Sequence, residues 1–206
     1  MIATMVAVIF AAYFLGSIPS AYIIGRLLKD IDMREVGDGR IGAAAAFRNL
    51  GIAGGMMVGF LDFSKGALSV ALALTTDVPL IVALLCGIMA IVGHNWSVFL
   101  GFKGGRGAAT TYGVLASLML WQFLIALVIA AIPYFLTHKS TLATGIIFGI
   151  LPVVLWVDSV LGVLPALPWM QDISPLLIVF PIFLSVPMFL KSRTMPGKAP
   201  GGNSIG

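Results

Sequence analysis

The sequence is poor in charge, histidine and cysteine. Charged residues make up 10% of the 206 residues and hydrophobic residues 60%, which leaves too little polar surface to cover a soluble domain. The single cysteine, Cys86, excludes an internal disulfide and lies in an apolar run, where we expect a buried, inert thiol. Two histidines and one cysteine without close pairing form no ligand cluster, so we expect no metal and no cofactor.

Six apolar segments recur along the chain. They cover residues 2–24, 52–75, 79–99, 108–136, 142–156 and 174–190. A helix needs about 20 apolar residues to cross the hydrocarbon core of a membrane. The fourth segment, with 29 residues, is too long for one comfortable span and too short for two full ones. We expect it to form two short helices that meet near residues 117–122, which gives seven spans.

The basic residues indicate the orientation of these spans. With seven spans and the N-terminus outside, every lysine and arginine outside the spans falls on the cytoplasmic side, as the positive-inside rule requires. We therefore expect an all-α, multi-pass helical bundle of about seven transmembrane helices in the cytoplasmic membrane, with a cytoplasmic C-terminus. Residues 1–193 form the expected membrane domain, and residues 194–206 a disordered tail. The net charge of +4 reflects this orientation and anionic partners rather than nucleic acid.

The strongest local motif is the segment 102–110, with the sequence FKGGRGAAT. Its glycines allow backbone N–H groups to approach an anion, while Lys103 and Arg106 add positive charge and the following helix offers its N-terminal end. The spacing differs from that of a Walker A loop. A phosphate-binding loop is one interpretation, and a tight basic hairpin that only obeys the positive-inside rule is the other.

A second glycine-rich, basic segment covers residues 34–51 and includes Arg40 and Arg48. It follows the first span, so it lies on the same face of the membrane as the Lys103 loop. Two flexible, cationic loops on one face favour an anion site. The alternative is an interfacial helix at residues 43–50, with Arg48 anchored to lipid headgroups.

Two ionisable residues, Asp62 and Lys65, lie inside an otherwise apolar span. Charges at that depth are costly unless paired, and the i, i+3 spacing places both on one helix face. We expect an ion pair, with either a structural role or a place in a site. His94 lies near the cytoplasmic end of the third span, where it could act as a general base, bind phosphate or serve packing.

These residues, in this order and spacing, resemble a family of bacterial integral membrane enzymes, the acyl-phosphate-dependent glycerol-3-phosphate acyltransferases. The likeness covers residues 16–144. Its first region comprises GSIP at 16–19, REVGDGRIG at 34–42 with Arg48, and LDFSKG at 61–66. Its second comprises Gly93-His94 and the segment 102–110. A family member is a small enzyme with seven spans and its N-terminus outside.

The resemblance implies transfer of a fatty acyl group from acyl-phosphate to glycerol 3-phosphate, forming lysophosphatidic acid and phosphate in phospholipid synthesis. Both substrates and membrane lipids are the implied partners. Because an acyl-phosphate is already activated, the protein needs to hold two phosphates rather than supply a nucleophile. The implied catalytic residues are His94, Lys103 and Arg106. The implied phosphate-binding residues are Ser17, Gly37, Gly39, Arg40, Gly42, Arg48, Gly104, Gly105, Gly107 and Thr110.

The sequence departs from the family pattern in several places. The usual Gly-Ser-Gly-Asn-x-Gly-Ala-Thr-Asn is changed by Asp38, Arg40, Ala44 and Ala45. Arg106 replaces a lysine, and the family's His-x-x-Asn element after the last span is missing. The alternative hypothesis is a non-catalytic paralogue that binds phosphorylated lipid precursors or partners an active acyltransferase.

Overall fold

The computed structural model describes residues 1–36, 41–165 and 175–194 and contains helices but no strand within them. The helices are α1 (Ile2–Ser17), α2 (Ser20–Lys29), α3 (Ala43–Leu74), α4 (Leu80–Asn95), α5 (Ala108–Leu118), α6 (Leu120–Thr137), α7 (Ser140–Leu161) and α8 (Pro175–Thr194). A short 3-10 turn, Val98–Leu100, follows α4. Thr194, expected at the start of the tail, ends α8, and the rest of the expected tail lies outside the described residues.

Six helical stretches are long and apolar enough to cross a membrane, with α1 and α2 forming one of them. A seventh apolar helix, α5, has 11 residues and is shorter than these six stretches. The predicted all-α membrane bundle is confirmed. The fourth apolar segment divides at Met119, whose φ of −148° and ψ of 61° are not helical, and this break lies inside the predicted range of residues 117–122.

The first span is broken, and the expectation of one helix over residues 2–24 is wrong. The break follows from Pro19, which has no N–H to donate to the preceding turn. Helix α1 therefore ends at Ser17, and α2 begins at Ser20. The backbone carbonyls at the break find side-chain donors from other parts of the bundle, namely Ser97 Oγ for Ser17 and Lys65 Nζ for Ile18.

Helix α3 begins earlier than its apolar segment, at Ala43 instead of residue 52. It contains one non-helical residue, Gly51, whose φ of 83° a side chain would disfavour. Residues 43–50 therefore form a separate helical piece that meets the membrane-spanning part at an angle. A short helix at these residues is what the alternative interpretation of this segment required.

Backbone contact between helices is closest in the pairs α1–α4 and α3–α5. Four glycines make this possible, because a Cβ on any of them would strike the backbone of the partner helix. Gly16 and Gly93 join α1 to α4, and Gly66 and Gly113 join α3 to α5.

Helices α6, α7 and α8 pack differently, through large apolar side chains that continue from α5. The buried members of this core include Leu118, Phe123, Leu151, Leu155, Leu177, Phe180 and Leu184. One buried polar contact joins α6 to α7: Gln122 Nε2 donates to Asp158 Oδ2 at 2.7 Å. Asp158 Oδ1 also accepts from the backbone N–H of Leu164 at 3.0 Å, which holds the chain beyond the end of α7.

Candidate active site

A narrow cleft lies where the α1–α2 break, the middle of α3, the end of α4 and the loop before α5 meet. The space between its walls, including the part that is open to solvent, amounts to about 230 Å³. Its lining is formed by Ser17, Ile18, Pro19, Ser20, Ala21, Ile41, Gly42, Asp62, Lys65, His94, Ser97, Leu100, Gly104 and Gly105. The cleft therefore combines a buried ionic cluster with two hydroxyl-bearing turns and a glycine pair.

The ionic cluster consists of Asp62, Lys65 and His94, which are 2%, 5% and 8% exposed. Lys65 Nζ lies 2.9 Å from Asp62 Oδ1, and His94 Nδ1 lies 3.5 Å from the same oxygen. Neither approach has the angles of a hydrogen bond, so the attraction is electrostatic. The ion pair expected between Asp62 and Lys65 is present, and it lines the cleft rather than standing apart from it.

Lys65 is held by the broken first span as well as by Asp62. Its Nζ donates a hydrogen bond of 3.0 Å to the carbonyl of Ile18 at the helix break, which also accepts from the backbone N–H of Ser20 at 3.0 Å. One carboxylate and one carbonyl thus orient an ammonium that is almost completely removed from water. An ammonium has three donors, so the geometry leaves a further donor for an anion in the cleft.

The glycine pair Gly104-Gly105 packs against the end of α4. The N–H of Gly105 donates to the carbonyl of His94 at 3.1 Å. A Cβ on Gly104 would strike the His94 carbonyl, and one on Gly105 would strike both His94 Nε2 and the carbonyl of Ile41. The two glycine-rich segments of the sequence therefore meet here, and their glycines are required by the closeness of the chains.

The structure brings seven of the sequence-predicted residues to the cleft. They are Ser17, Gly42, Asp62, Lys65, His94, Gly104 and Gly105. Lys103 and Arg48 are exposed, and Arg106 is half-buried; none of them is among the cleft-lining residues. Three further predicted residues, Gly37, Gly39 and Arg40, lie outside the described residues.

Two other predicted residues lie behind the cleft. Gly107 has a φ of +81° and precedes α5, so it turns the chain into that helix. A Cβ on Gly107 would lie 2.7 Å from Asn95 Oδ1. Thr110 is fully buried, and its backbone carbonyl faces Gly66 of α3. Both residues therefore position the loop and the helix that follow the cleft.

Two groups at the cleft, Ser97 and the carbonyl of Ile18, are not predicted by any motif in the sequence. Ser97 Oγ donates to the Ser17 carbonyl and so ties the turn after α4 to the α1–α2 break. Tyr13 reinforces this junction, because its hydroxyl donates to the Trp96 carbonyl at 3.0 Å. Pro19 is the signal that could have located these acceptors, since a proline within a span leaves carbonyls without helical donors.

A second ionic group holds the loop after α2. Asp32 is buried and accepts hydrogen bonds from Arg34 Nη2 at 2.6 Å and from the Arg34 backbone N–H at 2.9 Å. Arg26 lies 3.7 Å from the same carboxylate. The Arg34 guanidinium lowers the pKa of Asp32 to about 2, so the carboxylate is ionised at neutral pH. This pairing fixes the start of the glycine-rich segment that leads to Ile41.

The arrangement suits an anionic substrate. It offers a buried ammonium, an imidazole and the amide of Gly104, without a group of three or more metal-ligating side chains in the described part of the chain. The carboxylate of Asp62 keeps the cluster close to neutral until a ligand enters. A phosphate group on the substrate would meet Lys65 in surroundings of low dielectric, where the attraction is strong.

Comparison with known proteins gives a consistent result. The family model described as glycerol-3-phosphate acyltransferase matches residues 6–195. The chain is 37% identical to glycerol-3-phosphate acyltransferase 2 of Dehalococcoides mccartyi over 200 residues, which cover 97% of this chain and 91% of that protein. It is 40% identical to the glycerol-3-phosphate acyltransferase of Shouchella clausii over 154 residues, which cover 73% of this chain and 74% of the relative.

Two crystal structures of PlsY (YgiH), an integral membrane glycerol 3-phosphate acyltransferase, have a similar fold. The glycerol 3-phosphate form superposes with a TM-score of 0.71 at 25% identity. The lysophosphatidic acid form superposes with a TM-score of 0.75 at 26% identity. In both cases the match covers 92% of this chain and 88% of the solved one.

Proposed function

Because the chain belongs to the glycerol-3-phosphate acyltransferase family, we propose that it transfers a fatty acyl group from an acyl-phosphate to the 1-hydroxyl of glycerol 3-phosphate. The products are lysophosphatidic acid and inorganic phosphate, and the reaction occurs at the cytoplasmic face of the cell membrane. The membrane location of the helices supports an acyl donor that reaches the cleft from lipid. The single observation that carries the proposal is the buried Lys65 ammonium held by Asp62 and Ile18.

The proposed step needs no covalent enzyme intermediate. The 1-hydroxyl oxygen attacks the acyl carbonyl carbon, the bond from that carbon to the phosphate oxygen breaks, and phosphate leaves. The leaving phosphate accepts the hydroxyl proton, which balances the charge and the atoms. The protein then has two tasks, which are to bring two phosphate-bearing molecules together and to offset their repulsion.

Lys65 and His94 take the central part in this scheme. Lys65 offers its ammonium to a substrate phosphate, while Asp62 prevents an isolated buried cation when the cleft is empty. His94 Nε2 faces the glycine pair, so it reaches a ligand that lies along Gly105. The amide of Gly104 adds further partial positive charge, whereas the N–H of Gly105 already donates to the His94 carbonyl.

Lys103, Arg106 and Arg48 act from the cytoplasmic rim in this proposal. Lys103 and Arg48 are exposed, which suits long-range attraction of anionic substrates better than fixed contact in the closed cleft. Such attraction is screened by salt within about 8–10 Å at physiological ionic strength. We therefore expect their removal to weaken substrate capture in a salt-dependent manner.

The test is acyl transfer by the purified protein in nanodiscs, with glycerol 3-phosphate and a choice of acyl donors. We expect acyl-phosphate to give lysophosphatidic acid and phosphate in equal amounts. Lys65→Met should lower kcat/KM by about 100-fold or more, the usual effect of removing one group that stabilises charge at a transition state. Lys139→Met removes an exposed lysine beside α7 and provides the matched control, with an effect within about twofold.

Three results would contradict parts of the proposal. Product from an acyl thioester but not from acyl-phosphate would overturn the donor. Saturable binding of glycerol 3-phosphate without product from any donor would overturn catalysis. Equal activity of Lys65→Met and wild type would show that the ionic cluster does not belong to the active site.

A further inference from the structure

Lys191, near the end of α8, is a second deeply buried lysine. It is 5% exposed, as is Lys65. No carboxylate of the described residues lies in ion-pair range of Lys191, and none of their acceptors forms a hydrogen bond with its Nζ. Its ammonium instead lies 5.2 Å from the centre of the Trp96 ring, as a cation–π contact. A buried cation without an anionic partner is costly in a membrane protein and indicates a functional role.

The register of α8 places Lys191 beside the candidate active site. Pro187, one helical turn earlier on the same face, accepts a hydrogen bond of 3.0 Å from Asn95 Nδ2. Asn95 lies between His94 and Trp96 at the end of α4, and Gly104 packs on its backbone. Helix α8 thus places the Lys191 ammonium next to the end of α4, on which the glycine pair packs.

We propose that Lys191 is a phosphate-binding residue, which holds a phosphate dianion at the junction of α4 and α8. Naming the dianion as that of a substrate rests on the proposed acyl transfer, whereas the binding itself does not. Two phosphate-bearing substrates need two cations, and Lys65 and Lys191 are the two deeply buried lysines of the described chain. Trp96 keeps the ammonium in place when no phosphate is bound.

The neighbouring Arg193 provides a matched control. It belongs to the same last turn of α8 and also makes a cation–π contact, since its Cζ lies 4.7 Å from the centre of the Phe189 ring on the same helix. In contrast to Lys191, it is exposed. Lys191→Met and Arg193→Met therefore remove the same charge from the same helix end, and they differ in whether the charge is buried next to the α4 terminus.

The first experiment measures binding of inorganic phosphate to the full chain in a maltoside detergent, which contains no phosphate. Because the Lys191 ammonium lies against Trp96, phosphate should change the tryptophan emission of the wild type, and Trp96→Phe should abolish the change. Lys191→Met should weaken phosphate binding by about tenfold or more, as expected for loss of a charged hydrogen-bond donor. Lys191→Arg should restore most of it, and Arg193→Met should bind within about twofold of the wild type.

The second experiment separates the source of the phosphate. In acyl-transfer assays, Lys191→Met should raise the KM for one of the two phosphate-bearing substrates by about tenfold or more, with a smaller change in kcat. The substrate whose KM rises is the ligand of Lys191. A phosphate titration that works in detergent but fails in phospholipid nanodiscs would assign Lys191 to lipid headgroups and would overturn its role as a substrate residue.

Further outcomes would overturn the inference. They are unchanged tryptophan emission of the wild type at saturating phosphate, equal phosphate binding by Lys191→Met and wild type, or equal losses in Lys191→Met and Arg193→Met. The emission test uses the wild-type chain, so it decides the matter even when the Met variant fails to fold. Phosphate binding through Lys191 in a chain without acyl transfer would uphold this inference while overturning the proposed function.

Discussion

The two halves of the bundle are held together in different ways. Helices α1, α3, α4 and α5 meet through glycines, and a side chain at Gly16, Gly66, Gly93 or Gly113 would enter the backbone of a neighbour. Helices α6, α7 and α8 meet through large apolar side chains, and the two glycines within α7, Gly145 and Gly149, have nothing within 4 Å of an added Cβ. The cleft lies in the half with backbone contact.

This difference shows where in the bundle the positions of atoms are held most tightly. Backbones in direct contact cannot slide without breaking many van der Waals contacts, so the atoms they carry are held to a narrow range of positions. Asp62, Lys65 and His94 extend from such helices. A core of leucine and phenylalanine side chains tolerates substitution that preserves volume.

The largest effect that we expect from this contrast comes from Gly66→Leu. The new side chain would collide with the carbonyl of Thr110, which cannot rotate away as a side chain can. The cost should reach at least about 3 kcal/mol, the upper end for overpacking, with loss of acyl transfer. Gly149→Leu is the control, because Gly149 is exposed and has open space, and it should stabilise by about 0.5–1 kcal/mol, since leucine favours a helix more than glycine does.

Unfolding of both variants in detergent measures this prediction. Equal destabilisation by the two substitutions would mean that the halves do not differ in how closely their backbones approach.

The next effect concerns helices α6 to α8 and tests the buried hydrogen bond between Gln122 and Asp158. Asp158→Leu should destabilise by about 2 kcal/mol, because it leaves the Gln122 amide without its acceptor. The double variant with Gln122→Leu should be less destabilised than the sum of the single variants by about 1 kcal/mol. Asp77→Leu replaces an exposed carboxylate and serves as control. Additive losses in a double-mutant cycle would show that the two side chains are not coupled.

A smaller effect concerns Asp32 in the loop between α2 and α3, which belongs to the half of the bundle with backbone contact. The folded pKa of Asp32 is lowered to about 2, so its contribution is complete above the ordinary pKa near 4 and is lost as pH falls to about 2. Asp32→Asn should cost on the order of 1 kcal/mol at pH 7, since Arg34 is partly exposed to solvent, and the cost should shrink on acidification. Unfolding of both proteins across this pH range measures it. A difference that grows as pH falls would contradict the assigned partner.

The smallest expected effect is that of alanine at Gly149, and the same substitution at Gly113 should have the opposite sign. Gly149→Ala should stabilise by about 0.5–1 kcal/mol, because alanine favours a helix and nothing obstructs its methyl group. The same change at Gly113 should destabilise, because the Phe63 carbonyl occupies the place of the methyl group. Thermal unfolding of this pair is a sensitive check, and stabilisation at both positions would refute the comparison.

Much of the fold could be predicted from the sequence because lipid imposes simple rules. The apolar length of residues 108–136 predicted a break within residues 117–122, and the chain breaks at Met119. The i, i+3 spacing predicted the pair of Asp62 and Lys65. Both predictions depend on local geometry, in which the distance between residues follows directly from the rise of a helix.

The site was harder to predict where contacts join distant parts of the chain. Lys103 and Arg48 were predicted as site residues because they are charges in glycine-rich loops. Sequence spacing alone does not say whether such a flexible side chain points into the cleft or toward water. Ser97 carries no motif, and its role depends on the carbonyl of Ser17, 80 residues away. Lys191 fits the positive-inside rule as well as any exposed lysine does, so its burial was visible only in three dimensions.

The carbonyl of Ile18, at the helix break beside Pro19, is a ligand that belongs to no side chain. An alanine scan of α1 would leave this oxygen in place at every position, so genetic screens would score Ile18 as dispensable while the atom that binds Lys65 remained. Pro19→Ala, which restores a hydrogen-bond donor and lets the helix run on, or an amide-to-ester exchange at this bond would expose the dependence. Surveys that rank residues by sequence alone will therefore undercount the groups that build this cleft.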